Sequence, residues 1–306
     1  MKCTVSFLPV LISLVSTEHT TLPHYTFYKS FPSALEECAE YYEVPTSSVD
    51  RIVQESYPSE PEVKQLIRCA LINVRCWNDT TGVQEQVMNS FFNPTPEDSE
   101  YLVRTRECMQ RSEELSGGNS DVQTRAYDAF ICYYRQYGTL NETDQYLPFT
   151  EEELYSLILS VLSIAHVSQE ALAQFSDGNV LNNEEFPAVL YIHYVRVGFY
   201  QDGLVPEHLY VQFGNPELLT PRTEQCVSAA VNSLPCEADD QEQLYSIFRK
   251  CLVDLTSTLE LVQKASRQLL GLGSSSGSSG SSTNAPCTST CPPTINQAPY
   301  YNTIPR

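Results

Sequence analysis

Positive charge is scarce in this sequence: 18 lysines and arginines stand against 38 aspartates and glutamates, a formal net charge of -20. Nucleic acids and anionic membranes are recognised through a basic footprint, so neither is expected as a partner. Long apolar runs are missing too. Past the first residues nothing approaches the ~20 apolar residues that a membrane helix needs, which argues against membrane insertion. Alternation of apolar and polar residues, the mark of a half-buried strand, is sustained nowhere. The signatures of catalysis are also lacking. There is no Gly-x-Ser-x-Gly, no His-Glu-x-x-His and no glycine-rich loop after a strand. Cys287-x-x-x-Cys291 has no second half of a zinc site, and the five histidines are scattered. The expectation is a protein that is not an enzyme and takes no cofactor or metal. His193, beside Tyr191 and Tyr194, reads as a satisfied core or rim histidine rather than a ligand.

What is present is helical. In VQTRAYDAFICYYRQYG, Ala126, Tyr127, Phe130 and Tyr134 fall at the spacing of one apolar helix face, with Cys132 just beside it. Downstream of Cys226, EQLYSIFRKCLVDL repeats the pattern with Leu244, Tyr245, Phe248, Cys251 and Leu255. Two copies of one helix, each closing on a cysteine, suggest two copies of one domain. A chain of 306 residues, 42% hydrophobic, has the material for two cores.

The two ends differ in character. MKCTVSFLPVLISLVSTEHT carries one lysine, a short apolar run and then small polar residues, so residues 1–17 read as a signal peptide cleaved near Thr17. The expected location is secreted and extracellular, where cysteines normally pair. Asn78-Asp79-Thr80 and Asn141-Glu142-Thr143 are glycosylation sequons in turn-like sequence. At the other end GLGSSSGSSGSSTNAP cannot bury a core, and residues 271–306 read as a disordered tail.

Between them the helices can be placed in order. Ser33-Ala34-Leu35-Glu36 fits a capping box for a first helix, and 49–55 gives a short second one. Pro61 opens a third, with Val63, Leu66, Ile67, Ala70, Leu71 and Val74 facing inward and Trp77 at its exit. Residues 83–92 and 97–111 are the next two. Tyr146 to Phe149 is the joint between copies. Thr150-Glu151-Glu152-Glu153 caps the next helix, and the helix dipole explains its three glutamates better than a metal does. Residues 184–197 repeat the 61–74 helix. Segments 206–213 and 222–234 follow, then one long helix over 240–270. The reading is all-α: two tandem domains, 30–140 and 150–270.

Short helices pinned by widely spaced cysteines, in an acidic secreted chain, resemble the insect odorant-binding protein family of PBP/GOBP type. That family carries six cysteines per domain, paired first to third, second to fifth and fourth to sixth. Here Cys38 looks like the first, Cys69 the third, Cys108 the fourth and Cys132 the sixth. The family's spacings put the second at Gln65 and the fifth at Gln123, the two that would have bonded each other. The resemblance implies the bridges Cys38–Cys69 and Cys108–Cys132, each worth roughly 3.5 kcal/mol in loop-closure entropy. In the second copy Cys226 and Cys251 match the fourth and sixth. Val161, Pro187 and Tyr191 fall near the places of the first three. Two such domains in one chain look like the atypical double-domain odorant-binding proteins of mosquitoes, and the long salivary proteins of blood-feeding flies share that plan. Cys76, Cys236, Cys287 and Cys291 remain, with their pairing open. Cys76–Cys236 is one arrangement and a Cys287–Cys291 loop another.

The resemblance implies two six-helix domains, each with an apolar cavity that carries a small hydrophobic ligand without catalysis. The first-domain candidates for its lining are Leu66, Ala70, Val87, Phe91, Tyr127, Phe130 and Tyr134. Those of the second are Phe186, Leu190, Tyr194, Phe199, Tyr245 and Phe248. Each also serves as plain core, and the tyrosine hydroxyls can orient a polar group. The implied partners are the ligand, an odorant receptor and a second copy of the chain. Two other readings stay open. The 19 tyrosines, the Ser/Gly linker and the tail cysteines suit a cross-linked extracellular layer such as an eggshell. A salivary scavenger of biogenic amines or bioactive lipids would share the fold. His166 and His193 motivate pH-triggered release.

Overall fold

Hydroxyl groups and prolines set where many of the described helices begin. The computed structural model describes residues 26–116 and 121–272. A short strand, β1 (Phe27–Lys29), leads into α1 (Phe31–Tyr41). That helix starts earlier than the 33–36 capping box predicts. Ser30 is its cap, its Oγ accepting from the Ser33 N–H at 3.2 Å, and Pro32 suits a first turn because it has no N–H to leave unbonded. After α2 (Thr46–Gln54), α3 (Pro61–Asn73) opens on its proline and buries Val63, Leu66, Ile67, Ala70 and Leu71.

A small hairpin follows, β2 (Trp77–Asn78) against β3 (Gly82–Val83). The helix expected over 83–92 is a single turn, α4 (Glu85–Met88), with a 3₁₀ turn over Asn89–Phe91 and then β4 (Phe92–Asn93). α5 (Tyr101–Ser116) starts later than the sequence suggests. Asp98 forms a turn instead, its carboxylate accepting from the Glu100 N–H and the Arg104 guanidinium. α6 (Val122–Cys132), capped by Asp121, runs into a π turn over Tyr133–Tyr137. β5 (Thr139–Leu140) returns to β4, and β6 (Gln145–Leu147) to β1 with Phe27 opposite Leu147. Gly138 stands between π turn and β5. A Cβ there would overlap the backbone of Asn93 and Pro94, so only glycine allows the approach.

The second half opens with the predicted capping box, in which Thr150 and Glu153 bond reciprocally at the start of α7 (Glu151–Ile164). α8 (Gln169–Ser176), capped by Ser168, was not among the expected helices. α9 (Phe186–Arg196), α10 (Pro206–Phe213) and α11 (Pro221–Asn232) each carry proline in the first turn. The long helix expected over 240–270 is broken. α12 (Asp240–Ile247) ends in a π turn over Phe248–Leu252, and α13 (Thr258–Leu269) starts afresh. Thr256 at the break turns its hydroxyl to the Leu252 carbonyl, the local competition that makes such residues poor helix interiors.

In the first half α1 packs on α3, α3 on α6, and α5 beside α6; in the second α7 and α8 pack on α13, and α9 and α11 on α12. Three disulfides pin these pairs: Cys38–Cys69 joins α1 to α3, Cys108–Cys132 joins α5 to α6, and Cys226–Cys251 joins α11 to the second π turn. These are the two implied bridges of the first copy and the fourth–sixth match of the second. Cys76 and Cys236 are free, so the Cys76–Cys236 arrangement is not formed. The expected signal peptide, residues 273–306 of the expected tail and with them Cys287 and Cys291 lie outside the described residues.

The joint between halves is tightly built. Arg75 donates to both carboxylate oxygens of Glu153, at 2.7 and 2.9 Å, and also to the Pro148 carbonyl. Gln212 on α10 grips the Phe149 backbone at both ends, accepting from its N–H at 2.7 Å and donating to its C=O at 3.1 Å. The Tyr146 ring stacks on His208 at 4.2 Å. The described residues as far as Leu272 gather into one compact unit.

Candidate ligand-binding site

The candidate residues of the first half arrive from three elements. α3 supplies Leu66 and Ala70; the segment after the β2–β3 hairpin supplies Val87 and Phe91; α6 and its π turn supply Tyr127, Phe130 and Tyr134. All are buried except Tyr134, which is partly so. Phe130 is central, stacked on Phe31 at 4.9 Å and meeting Tyr57 edge-on at 4.9 Å. Tyr57 in turn meets Tyr134 at 5.1 Å. In the second half α9 supplies Phe186, Leu190 and Tyr194, the loop after it Phe199, and α12 with its π turn Tyr245 and Phe248. Here Phe186 meets Phe248 at 5.7 Å, and Tyr194 meets Phe199 at 5.3 Å and Phe248 at 6.1 Å. Each set lies in or against the hydrophobic core, with ring contacts around Phe130 in one half and around Phe248 in the other.

Three of the hydroxyls in these clusters have protein partners. Tyr127 donates to the Tyr57 carbonyl at 2.7 Å, Tyr245 to the Leu181 carbonyl at 2.8 Å, and Tyr194 lies 3.4 Å from the Thr258 hydroxyl. Burial pushes the Tyr194 phenol up to about 12, so it stays neutral. His193 departs from expectation. It is fully buried against Tyr194 and Phe199, but neither ring nitrogen has a hydrogen-bond partner, and it is not the satisfied histidine the sequence suggests. Burial lowers its pKa to about 3, so the ring is neutral.

Recesses open at the surface of the described residues, and other residues line them. One of about 190 Å³ lies beside Trp77, Thr80, Met109, Arg125 and Asp128. One of about 400 Å³ runs between the two halves. One of about 430 Å³ adjoins α10 and α11, and one of about 450 Å³ lies next to the Cys226–Cys251 bridge. None carried a sequence signal, because each draws its residues from several segments that are separate in the chain. Among the described residues no cluster of three or more His, Cys, Asp or Glu is placed to hold a metal ion, and no helix is long and apolar enough to cross a membrane.

The sequence model of the PBP/GOBP family matches residues 25–136. General odorant-binding protein 69 of Anopheles gambiae is 32% identical over 174 residues, 53% of this chain and 75% of that protein. The chain belongs to the PBP/GOBP family. The crystal structure of odorant-binding protein 22a of Anopheles gambiae aligns at 21% identity over 34% of this chain and 96% of that one, with a TM-score of 0.28.

The family match spans the half held by Cys38–Cys69 and Cys108–Cys132. Gln65 and Gln123, where the family pattern puts its second and fifth cysteines, sit on α3 and α6, which pack directly together. Next to them Lys64 donates to the Thr124 hydroxyl at 3.2 Å, a polar contact between the same helices. The two sequon asparagines share one local geometry. Asn78 Oδ1 accepts from the Thr80 N–H at 2.8 Å, and Asn141 Oδ1 from the Thr143 N–H at 3.1 Å. Asn78 is exposed and Asn141 partly so.

Proposed function

We propose that this chain is a carrier: it binds small hydrophobic molecules in extracellular fluid and releases them chemically unchanged. Membership of the PBP/GOBP family carries this reading. The family match covers the half in which the rings of Phe31, Tyr57, Phe130 and Tyr134 pack on one another. Burial of ligand carbon against such rings is the driving force, at about 25 cal/mol per Å² of apolar area. The candidate lining is Leu66, Ala70, Val87, Phe91, Tyr127, Phe130 and Tyr134, with the second cluster as its counterpart. Ligand entry then requires these rings to part, since they pack on one another. Secretion, glycans on Asn78 and Asn141, and descent of the two halves from one duplicated domain belong to the same proposal.

The test is displacement of phenylnaphthylamine, an apolar fluorescent probe, from delipidated full-length protein. Saturable probe binding reversed by apolar volatiles is the expected result. No probe binding, in protein whose circular dichroism shows a folded helical state, overturns the carrier reading.

A further inference from the structure

The groove between the two halves is a second place where a small molecule fits. Tyr101, Leu102 and Tyr137 form one wall; Tyr210, Val211 and Leu219 form the other, with about 400 Å³ between them. Small-molecule pockets have this order of size and favour the seams between structural units. Both walls are held. Tyr101 and Tyr137 meet edge-on at 4.8 Å, and the Gln212–Phe149 pair of hydrogen bonds anchors α10.

The polar character of the groove is one-sided. No lysine, arginine or histidine lines it, and its one charged residue is the exposed Glu207. On the wall, Asn89 donates through Nδ2 to the Tyr210 hydroxyl at 3.3 Å, while its Oδ1 is shielded from water and has no donor. A carbonyl oxygen without a donor is unfavourable, and once the Asn89 amide turns toward the groove a ligand O–H or N–H supplies what it lacks.

We propose that this groove binds a small amphipathic molecule with an aromatic or alkyl body and a single hydrogen-bond-donor head, hydroxyl or ammonium, and that it rejects carboxylic acids of the same size. The tyrosine rings receive the body. Asn89 Oδ1 accepts from the head. Glu207 attracts an ammonium and repels a carboxylate, for which the groove offers no cation. None of the core candidates of either half lines the groove, so this site is separate from the core proposed above.

The test is calorimetric titration of the full chain with para-propylphenol, para-propylbenzylamine, propylbenzene and para-propylbenzoate. Each is run with and without saturating phenylnaphthylamine. Phenol and amine are expected to bind about tenfold or more tighter than the benzoate, with the naphthylamine still bound. Leu219→Trp, at an exposed position, fills the groove and should weaken the phenol at least about tenfold. Asn89→Leu should bring the phenol down to the affinity of propylbenzene while leaving propylbenzene unchanged. Neither variant should alter phenylnaphthylamine binding. Equal affinity for benzoate and phenol, or phenol binding untouched by Leu219→Trp, overturns the proposal. Loss of naphthylamine binding with groove binding intact overturns only the core reading.

Discussion

The hydroxyl of Tyr245 donates to the carbonyl of Leu181 across 2.8 Å. Tyr127 makes the same bond to the carbonyl of Tyr57 across 2.7 Å. Tyr127 and Tyr245 stand in the same place relative to Phe130 and Phe248, and each helix then passes into a π turn next to a disulfide. Each bond holds the loop that leads into a helix with proline in its first turn, α3 or α9. The recurrence extends the sequence repeat into tertiary structure: the same side chain fixes the same kind of loop twice.

Removing either hydroxyl leaves a backbone carbonyl without its donor. Tyr127→Phe is expected to cost about 1–3 kcal/mol because its bond is buried, and Tyr245→Phe about 1 kcal/mol or less because its bond is partly exposed. Urea unfolding followed by circular dichroism measures both. Equal, negligible costs would mean that the loops are held by packing alone.

How much of this was legible beforehand follows from where the information lies. Apolar periodicity located α3, α6, α7 and α9, since each buries one continuous stripe. The resemblance supplied the first-half bridges. The break between α12 and α13 was missed because Leu252, Leu255, Leu259 and Val262 keep an apolar rhythm through it, while Thr256 and Ser257 interrupt the backbone. α8 was missed although Ser168, Leu172 and Phe175 carried its cap and its buried face. The groove had no signature at all. Asn89, Tyr137 and Leu219 are distant in sequence, and the contacts that hold the two walls in register, such as Arg75 with Glu153, Gln212 with Phe149 and Asn89 with Tyr210, form only in the folded chain.

His193 makes stability depend on pH. Its folded pKa, about 3, lies below the ordinary 6.5. Above the ordinary value both states are neutral and no penalty exists. As pH falls below it, the unfolded chain takes up a proton that the folded chain refuses, so stability declines by at most about 1.4 kcal/mol per pH unit. His193→Leu also removes two ring nitrogens that lack partners. The variant is expected to be at least as stable at neutral pH and to show a flatter decline between about pH 6.5 and 5, above the range in which carboxylates titrate. Parallel pH profiles of the melting midpoint would place the proton elsewhere.

Glu153 acts with the opposite ionic form. Burial tends to raise its pKa, but the hydrogen bond and charge of Arg75 and the Thr150 N–H together hold it below the usual carboxylate range. A carboxylate with a lowered folded pKa stabilises above its unfolded pKa, and that contribution disappears as pH falls through the folded value. Glu153→Gln should therefore lower the melting midpoint at neutral pH, with the gap to the parent closing below about pH 4. A gap independent of pH would show that geometry rather than charge matters at the joint.

The vacant cysteine pair of the first half can be restored. α3 and α6 pack together, and the Lys64–Thr124 contact shows that residues adjoining Gln65 and Gln123 are within reach of each other. Gln65→Cys with Gln123→Cys should close a third bridge around a long loop, worth roughly 4 kcal/mol in loop-closure entropy. Mass spectrometry should find the double variant lighter by two hydrogens than its reduced form requires, with no thiols beyond those of the parent. Its unfolding midpoint should rise, while either single variant gains a free thiol and no stability. Two extra thiols in the oxidised double variant would mean that α3 and α6 meet in a register other than the one the family pattern implies. The glutamines would then mark a rebuilt helix contact rather than a lost bridge.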